Sequence, residues 1–182
     1  MKTICVLFGG RSSEYDVSLS SAFAVLSNID RSAYDLLCIG ITRDGRWYRF
    51  DGPVDEIRSG AWCAHPETLP TVSLDLTDGR IRCISPDGTV TETVCDAVFP
   101  VLHGKYGEDG TVQGLFAVAG IPVVGCGCTS SGVCMDKAFT NPWLPRTPAS
   151  GRQKPLSDAG KTKPIWMASG KNAKRRSDTP CL

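Results

Sequence analysis

Five apolar residues in unbroken succession, Ile4-Cys5-Val6-Leu7-Phe8, run straight into Gly9-Gly10. A run this short, containing β-branched residues and closed by glycine, describes a strand buried on both faces. A helix is expected from about Glu14 to Asn28, with Val17, Ser21, Ala24, Val25 and Asn28 on one face. Ser12 or Ser13 is placed to cap it, and Glu14 and Asp16 complement the dipole of its first turn. Tyr34 to Ile41 reads as a second strand. Strand, glycine turn, helix and strand make a βαβ unit, so this part of the chain must build an α/β domain on a parallel sheet.

The segment from 42 to 92 has a different character. Asp44-Gly45 separates Ile39–Thr42 from Trp47–Phe50, and Asp78-Gly79 separates Val72–Leu76 from Ile81–Ile84. Both are hairpin signals, so antiparallel strands are expected as an insertion between parallel ones. Trp47, Tyr48 and Phe50 could form a binding platform, but sheet packing is the simpler role. The parallel pattern resumes at Ala97–Leu102, followed by the polar glycine loop His103–Gly110. A helix of roughly Thr111 to Ala119, with Leu115 and Val118 inward, leads to a short strand at Ile121–Val124. Thr129 or Ser130 could cap a last helix running to Lys137.

Composition enters at the end of this pattern. The chain has 182 residues and a formal net charge of +1, but the charge is split. Residues 1–141 hold 11 Lys and Arg against 17 Asp and Glu, whereas 142–182 hold 9 against 2. That last stretch also carries 6 of the 12 prolines and has no regular apolar period. The expected organisation is a folded domain over 1–140 and a basic, proline-rich tail over 141–182, disordered or read in a shifted frame. The tail's charge could in principle attract nucleic acid, but an unselected segment is the favoured explanation, and no nucleic-acid partner is expected. No apolar run approaches the ~18 residues of a membrane span.

Nine cysteines without a secretory signal point to reduced thiols in the cytosol. Cys5, Cys38, Cys83, Cys95 and Cys134 lie in or beside apolar runs, where cysteine behaves as a small buried hydrophobe. Cys126, Cys128 and Cys134 match no common zinc spacing, so no metal centre is expected.

Two loops follow the carboxyl ends of parallel strands, at Phe8 and Leu102, where open α/β sheets bind ligands. The first offers Glu14 with the hydroxyls of Ser12, Ser13 and Ser18; the second offers His103 between glycine-rich turns. A carboxylate beside helix-terminal donors suits a zwitterion. Equally, Glu14 could be a first-turn charge and His103 a strand-end hydrogen-bonder.

Gly9-Gly10-Arg11-Ser12-Ser13-Glu14-Tyr15-Asp16-Val17-Ser18-Leu19 resembles the opening signature of the D-alanine–D-alanine ligase family. Val98–Gly104 with Gly107-Glu108-Asp109-Gly110-Thr111-Val112-Gln113-Gly114 resembles its second signature, and Ala119–Gly125 and Met135-Asp136-Lys137 continue it in order. The likeness spans 3–140, and the stretch Gly40–Tyr48 is most similar to the G-type D-alanine–D-serine ligases of vancomycin resistance.

The resemblance implies a pre-ATP-grasp, Rossmann-like amino-terminal domain of a cytoplasmic ligase that uses ATP and Mg²⁺ to make D-alanyl dipeptides for peptidoglycan. It implies Glu14 on the ammonium of the first D-alanine, Val17 and Ser18 lining that pocket, and His103 beside the same substrate. Glu14, Ser18 and His103 would be the catalytic set, and Lys137 would reach the ATP phosphates. D-serine is a possible second substrate and a homodimer a possible assembly. Tyr15 stands where many members carry His or Arg, so no contact is transferred to it. The central and ATP-grasp parts have no counterpart after Thr140. Alone, the chain is expected to hold neither ATP nor Mg²⁺ and to be inactive, or at most a non-catalytic binding module.

Overall fold

The computed structural model describes residues 1–136 and 140. The expected tail over 141–182 and Lys137 lie outside the described residues. The elements are β1 (Lys2–Gly9), α1 (Tyr15–Asn28), β2 (Tyr34–Ile41), β3 (Trp47–Arg49), α2 (Val54–Ser59), β4 (Thr71–Leu74), β5 (Arg80–Ile84), β6 (Val90–Val94), β7 (Ala97–Pro100), α3 (Thr111–Val118) and α4 (Cys128–Met135).

All seven strands join one mixed sheet in the order β6-β5-β4-β3-β2-β1-β7. β1 pairs in parallel with β2, from Lys2 against Tyr34 to Gly9 against Ile41, and with β7 on its other side. Val123 adds a parallel bridge to Val98, which is all that forms of the strand expected at 121–124. The remaining pairings are antiparallel, so both hairpins form as expected and the inserted segment extends the parallel sheet edge to edge. A third hairpin, β5 to β6 across Asp87-Gly88, was not expected, although it carries the same turn signal as the other two.

The unbroken apolar run of β1 has the burial it requires. Cys5 and Leu7 face one cluster with Leu37, Ile39, Ile81 and Phe116, while Val6 and Phe8 face another with Leu19, Ala22, Phe50 and Trp62. Phe8 sits edge-on to Trp62, with ring centroids 5.0 Å apart. Tyr48 and Phe50 are buried and Trp47 packs against Phe116, so the hairpin aromatics serve the sheet.

Three local expectations need correction. The buried stripe of α1 is Tyr15, Ser18, Leu19, Ala22 and Leu26, whereas Val17 is half-exposed. Tyr15, Leu19 and Leu26 bury more apolar area than Val17, Ala24 and Val25, and that area sets the helix rotation. In α3 the inward residues are Val112, Gln113 and Phe116, while Val118 is 71% exposed and Leu115 37%. Phe116 wins for the same reason. Cys134 is exposed and Cys38 only half-buried, although Cys5, Cys83 and Cys95 are buried. The caps differ as well. Gly127 precedes α4 in place of Thr129 or Ser130, and neither Ser12 nor Ser13 caps α1, which begins after Glu14.

Candidate substrate site at the parallel strand ends

Two loops meet where β1 and β7 end. The first turns sharply at Gly9, with φ of +86°, and a side chain there would lie 2.2 Å from the carbonyl oxygen of Ile41. Gly10 donates its N–H to that same carbonyl at 2.8 Å, so the loop crosses the end of β2 before entering α1. The crossing puts Ser12, Ser13 and Glu14 opposite the second loop.

Ser18 is fully buried and joins the two loops. Its hydroxyl accepts the Gly9 N–H at 2.8 Å and donates to the Val101 carbonyl. With both functions of the hydroxyl engaged by main chain, its part in the site is to hold β1, α1 and the end of β7 in register. Ser12 makes a second tie, donating to the His103 carbonyl at 2.8 Å and accepting the Glu14 N–H at 3.1 Å. Glu14 is exposed, and its carboxylate lies against Gly104, 3.0 Å from where a Cβ would stand. Gly104 also has φ of +68°, so both conformation and space require glycine there.

His103 is 31% exposed at its side chain. Its Nε2 is 3.0 Å from Ser21 Oγ, and its Nδ1 is 4.0 Å from Glu108 Oε1. Glu108 is itself held by the Gly104 N–H at 2.7 Å. Asp109 shapes the rest of this loop by accepting the N–H groups of Tyr106 and Thr111. Burial opposes ionisation of Asp109, but these hydrogen bonds outweigh it and keep its carboxyl below the usual carboxylate range.

An open hollow of about 510 Å³ lies over the two loops, walled by Ser12, Ser13, Glu14 and Gly104 with Arg11, Arg43 and Lys105 at its rim. One carboxylate facing several cations in an open cleft is a pattern that receives both ends of a zwitterion. Arg43 is partly occupied by Asp16, at 2.6 Å, and also lies 4.2 Å over the Tyr15 ring. Tyr15 points away from the hollow into the core, where its hydroxyl accepts Trp62 Nε1–H at 2.9 Å. Burial pushes that phenol up to about 12.

The structure thus brings Glu14 and His103 together, keeps Ser18 behind them, and leaves Val17 half-exposed on the helix. Sequence reasoning singled out neither Ser21 nor Glu108. Both had a readable signal: Ser21 lies one helical turn beyond Ser18, and Glu108 is a carboxylate inside a glycine loop rich in free N–H groups. Cys126, Cys128 and Cys134 are exposed and form no group of three close donors among the described residues. No helix among the described residues is long and apolar enough to cross a membrane.

A family model described as D-ala D-ala ligase N-terminus matches residues 3–126. The D-alanine–D-alanine ligase of Ruminiclostridium cellulolyticum is 48% identical over 148 residues, which is 76% of this chain and 39% of that protein. The corresponding ligase of Acetivibrio thermocellus is 44% identical over 76% of this chain and 40% of its own length. Among solved structures, the VanG D-Ala:D-Ser ligase from Enterococcus faecalis superposes with a TM-score of 0.69 at 46% identity, covering 76% of this chain and 39% of that one. The D-alanine–D-alanine ligase from Coxiella burnetii follows at 0.66 and 31% identity, covering 78% and 41%. The chain therefore spans about two fifths of the length of the relatives it matches.

Proposed function

This chain belongs to the D-alanine–D-alanine ligase family, and on that footing we propose that residues 1–136 are the amino-terminal, substrate-binding part of an ATP-dependent D-alanine–D-X ligase of peptidoglycan precursor synthesis. The observation that carries this reading is the Glu14 carboxylate set against Gly104 beside His103, at the mouth of a hollow rimmed with cations. Glu14 takes the ammonium of the first D-alanine. Arg11 and Lys105 supply the field that draws its carboxylate. His103, oriented by Ser21 and faced by Glu108, presents a ring edge to the same molecule. Ser18 acts as the tie beneath, and Val17 contributes at most to the rim.

In the family reading, ATP would supply the phosphoryl group that activates the first D-alanine, and Mg²⁺ would shield its charge. The described residues do not fit that task. Arg43 is engaged by Asp16, and Arg11 and Lys105 are the cations assigned to the substrate carboxylate, which leaves no further cation lining the hollow for a triphosphate clamp. Phosphoryl transfer depends almost wholly on such clamps, and these residues carry no such step of their own. Lys137, which the resemblance assigns to the phosphates, lies outside the described residues. The domain is assigned the first substrate only, with D-alanine or D-serine as the acceptor selected elsewhere in the full-length enzyme.

Calorimetric titration with D-alanine tests this. Millimolar binding that disappears in Glu14→Gln is expected, together with no ATP-dependent phosphate release by the chain alone. Binding that survives Glu14→Gln would remove the assigned role, and sustained phosphate release would overturn the division of labour.

A further inference from the structure

His103, Glu14 and Glu108 bring one imidazole nitrogen and two carboxylate oxygens within 4.8 Å of one another. Three features distinguish this group from a chance gathering of surface charge. The Glu14 carboxylate is in no ion pair or hydrogen bond among the described residues; only its main chain is engaged, the N–H by Ser12 Oγ and the carbonyl by the Ser18 N–H. Glu108 is pinned through Oε2 to the Gly104 N–H, which leaves Oε1 turned toward His103. Ser21 stands 3.0 Å from Nε2 of His103. When Nε2–H donates to that hydroxyl, Nδ1, 4.0 Å from Glu108 Oε1, keeps its lone pair free, and such a partner on the far nitrogen is what orients metal-binding histidines.

The geometry points to a binding site for a zinc-type divalent cation, held by His103 Nδ1, Glu14 and Glu108, with water in the remaining position. Zinc–nitrogen and zinc–oxygen distances of about 2.0–2.2 Å place tetrahedral ligands roughly 3.4 Å apart. The donors, up to 4.8 Å apart, must therefore close by up to about 1.4 Å, which rotation of the exposed, unpinned Glu14 side chain and a small shift of Glu108 about its tie to Gly104 achieve. An imidazole in the set favours zinc and its neighbours over Mg²⁺ and Ca²⁺, which take oxygen ligands. Arg11 and Lys105 on the same rim oppose a second positive charge, so the site is micromolar rather than as tight as a closed structural site. The inference deepens the proposed D-alanine reading in one respect. Cation and ammonium require the same Glu14 carboxylate, so zinc excludes D-alanine.

The test is calorimetry of Zn²⁺ into the full chain, paired with the absorption spectrum of its Co²⁺ complex. One cation per chain is expected, with weak d–d bands of nitrogen and oxygen ligation. His103→Ala and Glu108→Gln should each weaken binding at least about tenfold. His65→Ala, whose ring sits instead 3.3 Å from Glu67, should leave it unchanged. Glu14→Gln alters an exposed residue and keeps the test decisive if His103→Ala disturbs folding. An intense thiolate-to-cobalt band would move the metal to Cys126, Cys128 or Cys134 and overturn the assignment. Unchanged affinity in the His103 and Glu14 variants, or no binding at millimolar zinc, would do the same. D-alanine titrated alone and at saturating zinc separates the two readings. Zinc binding without D-alanine binding defeats only the substrate reading, whereas D-alanine binding undisturbed by zinc defeats the shared carboxylate.

Discussion

Replacing Ser18 with alanine distinguishes a residue that touches substrate from one that holds the site together. The side chain is fully buried, and its hydroxyl joins the Gly9 N–H to the Val101 carbonyl. Its removal leaves a buried donor without a partner, at about 1–3 kcal/mol, and takes one hydrogen bond from the carbonyl, worth about 1 kcal/mol. The sum is about 2–4 kcal/mol, a large share of the roughly 5–15 kcal/mol that stabilises an ordinary domain. With a mid-range urea slope of about 2 kcal/mol per molar, the unfolding midpoint should fall by roughly 1–2 M with no change in slope. The measurement is urea unfolding followed by tryptophan fluorescence. Ser20→Ala on the exposed side of α1 serves as the control and should shift stability by under about 0.5 kcal/mol. A loss below about 0.5 kcal/mol in Ser18→Ala would refute the tie. So would an unchanged midpoint accompanied by lost D-alanine binding, which would return Ser18 to the substrate.

Gly104→Ala forces a side chain into a left-handed conformation, at about 1–2 kcal/mol, and against the Glu14 carboxylate 3.0 Å away. Stability should drop by about that much in the urea assay, and D-alanine binding by more than the stability loss explains. Because burial raises the Tyr15 phenol to about 12, the folded chain keeps a proton that the unfolded chain releases near 10. That contribution is complete below pH 10 and is lost as pH rises toward 12. The fall in the unfolding midpoint between pH 9 and pH 11.5 should be shallower in Tyr15→Phe than in the parent. Thiol labelling should modify Cys126, Cys128 and Cys134 readily in the native chain and Cys5, Cys83 and Cys95 only on unfolding. Burial and the neighbouring Cys95 hold the Cys5 thiol well above its usual range, which slows it further; fast native labelling of Cys5 would contradict the core arrangement.

The parallel pairing of β1 with β2 was legible because a both-faces-buried run, a glycine turn, a helix and a second apolar run leave few topologies open. The hairpins were legible from Asp-Gly pairs, and the one that was missed, at Asp87-Gly88, carries the same pair between less apolar strands. Helix rotation was not legible. In α1 and α3 the apolar residues are spread around the helix, and only the sheet beneath decides that Phe116 enters while Val118 faces water. Glu14 and His103 could be read as candidate site residues from their loops. The ties of Ser12 and Ser21 to His103 could not, because those hydrogen bonds join positions 91 and 82 residues apart.

By itself the sequence determined an α/β domain, its parallel centre and its two expected hairpins. All of these follow from short-range patterning that each segment carries alone. The tertiary structure decided which face each helix buries, that Ser18 ties β1 and α1 to the end of β7, and that the donors of Glu14, His103 and Glu108 come within 4.8 Å of one another. Those outcomes depend on the competition for buried area and on loops brought together across the sheet, and no local pattern encodes either.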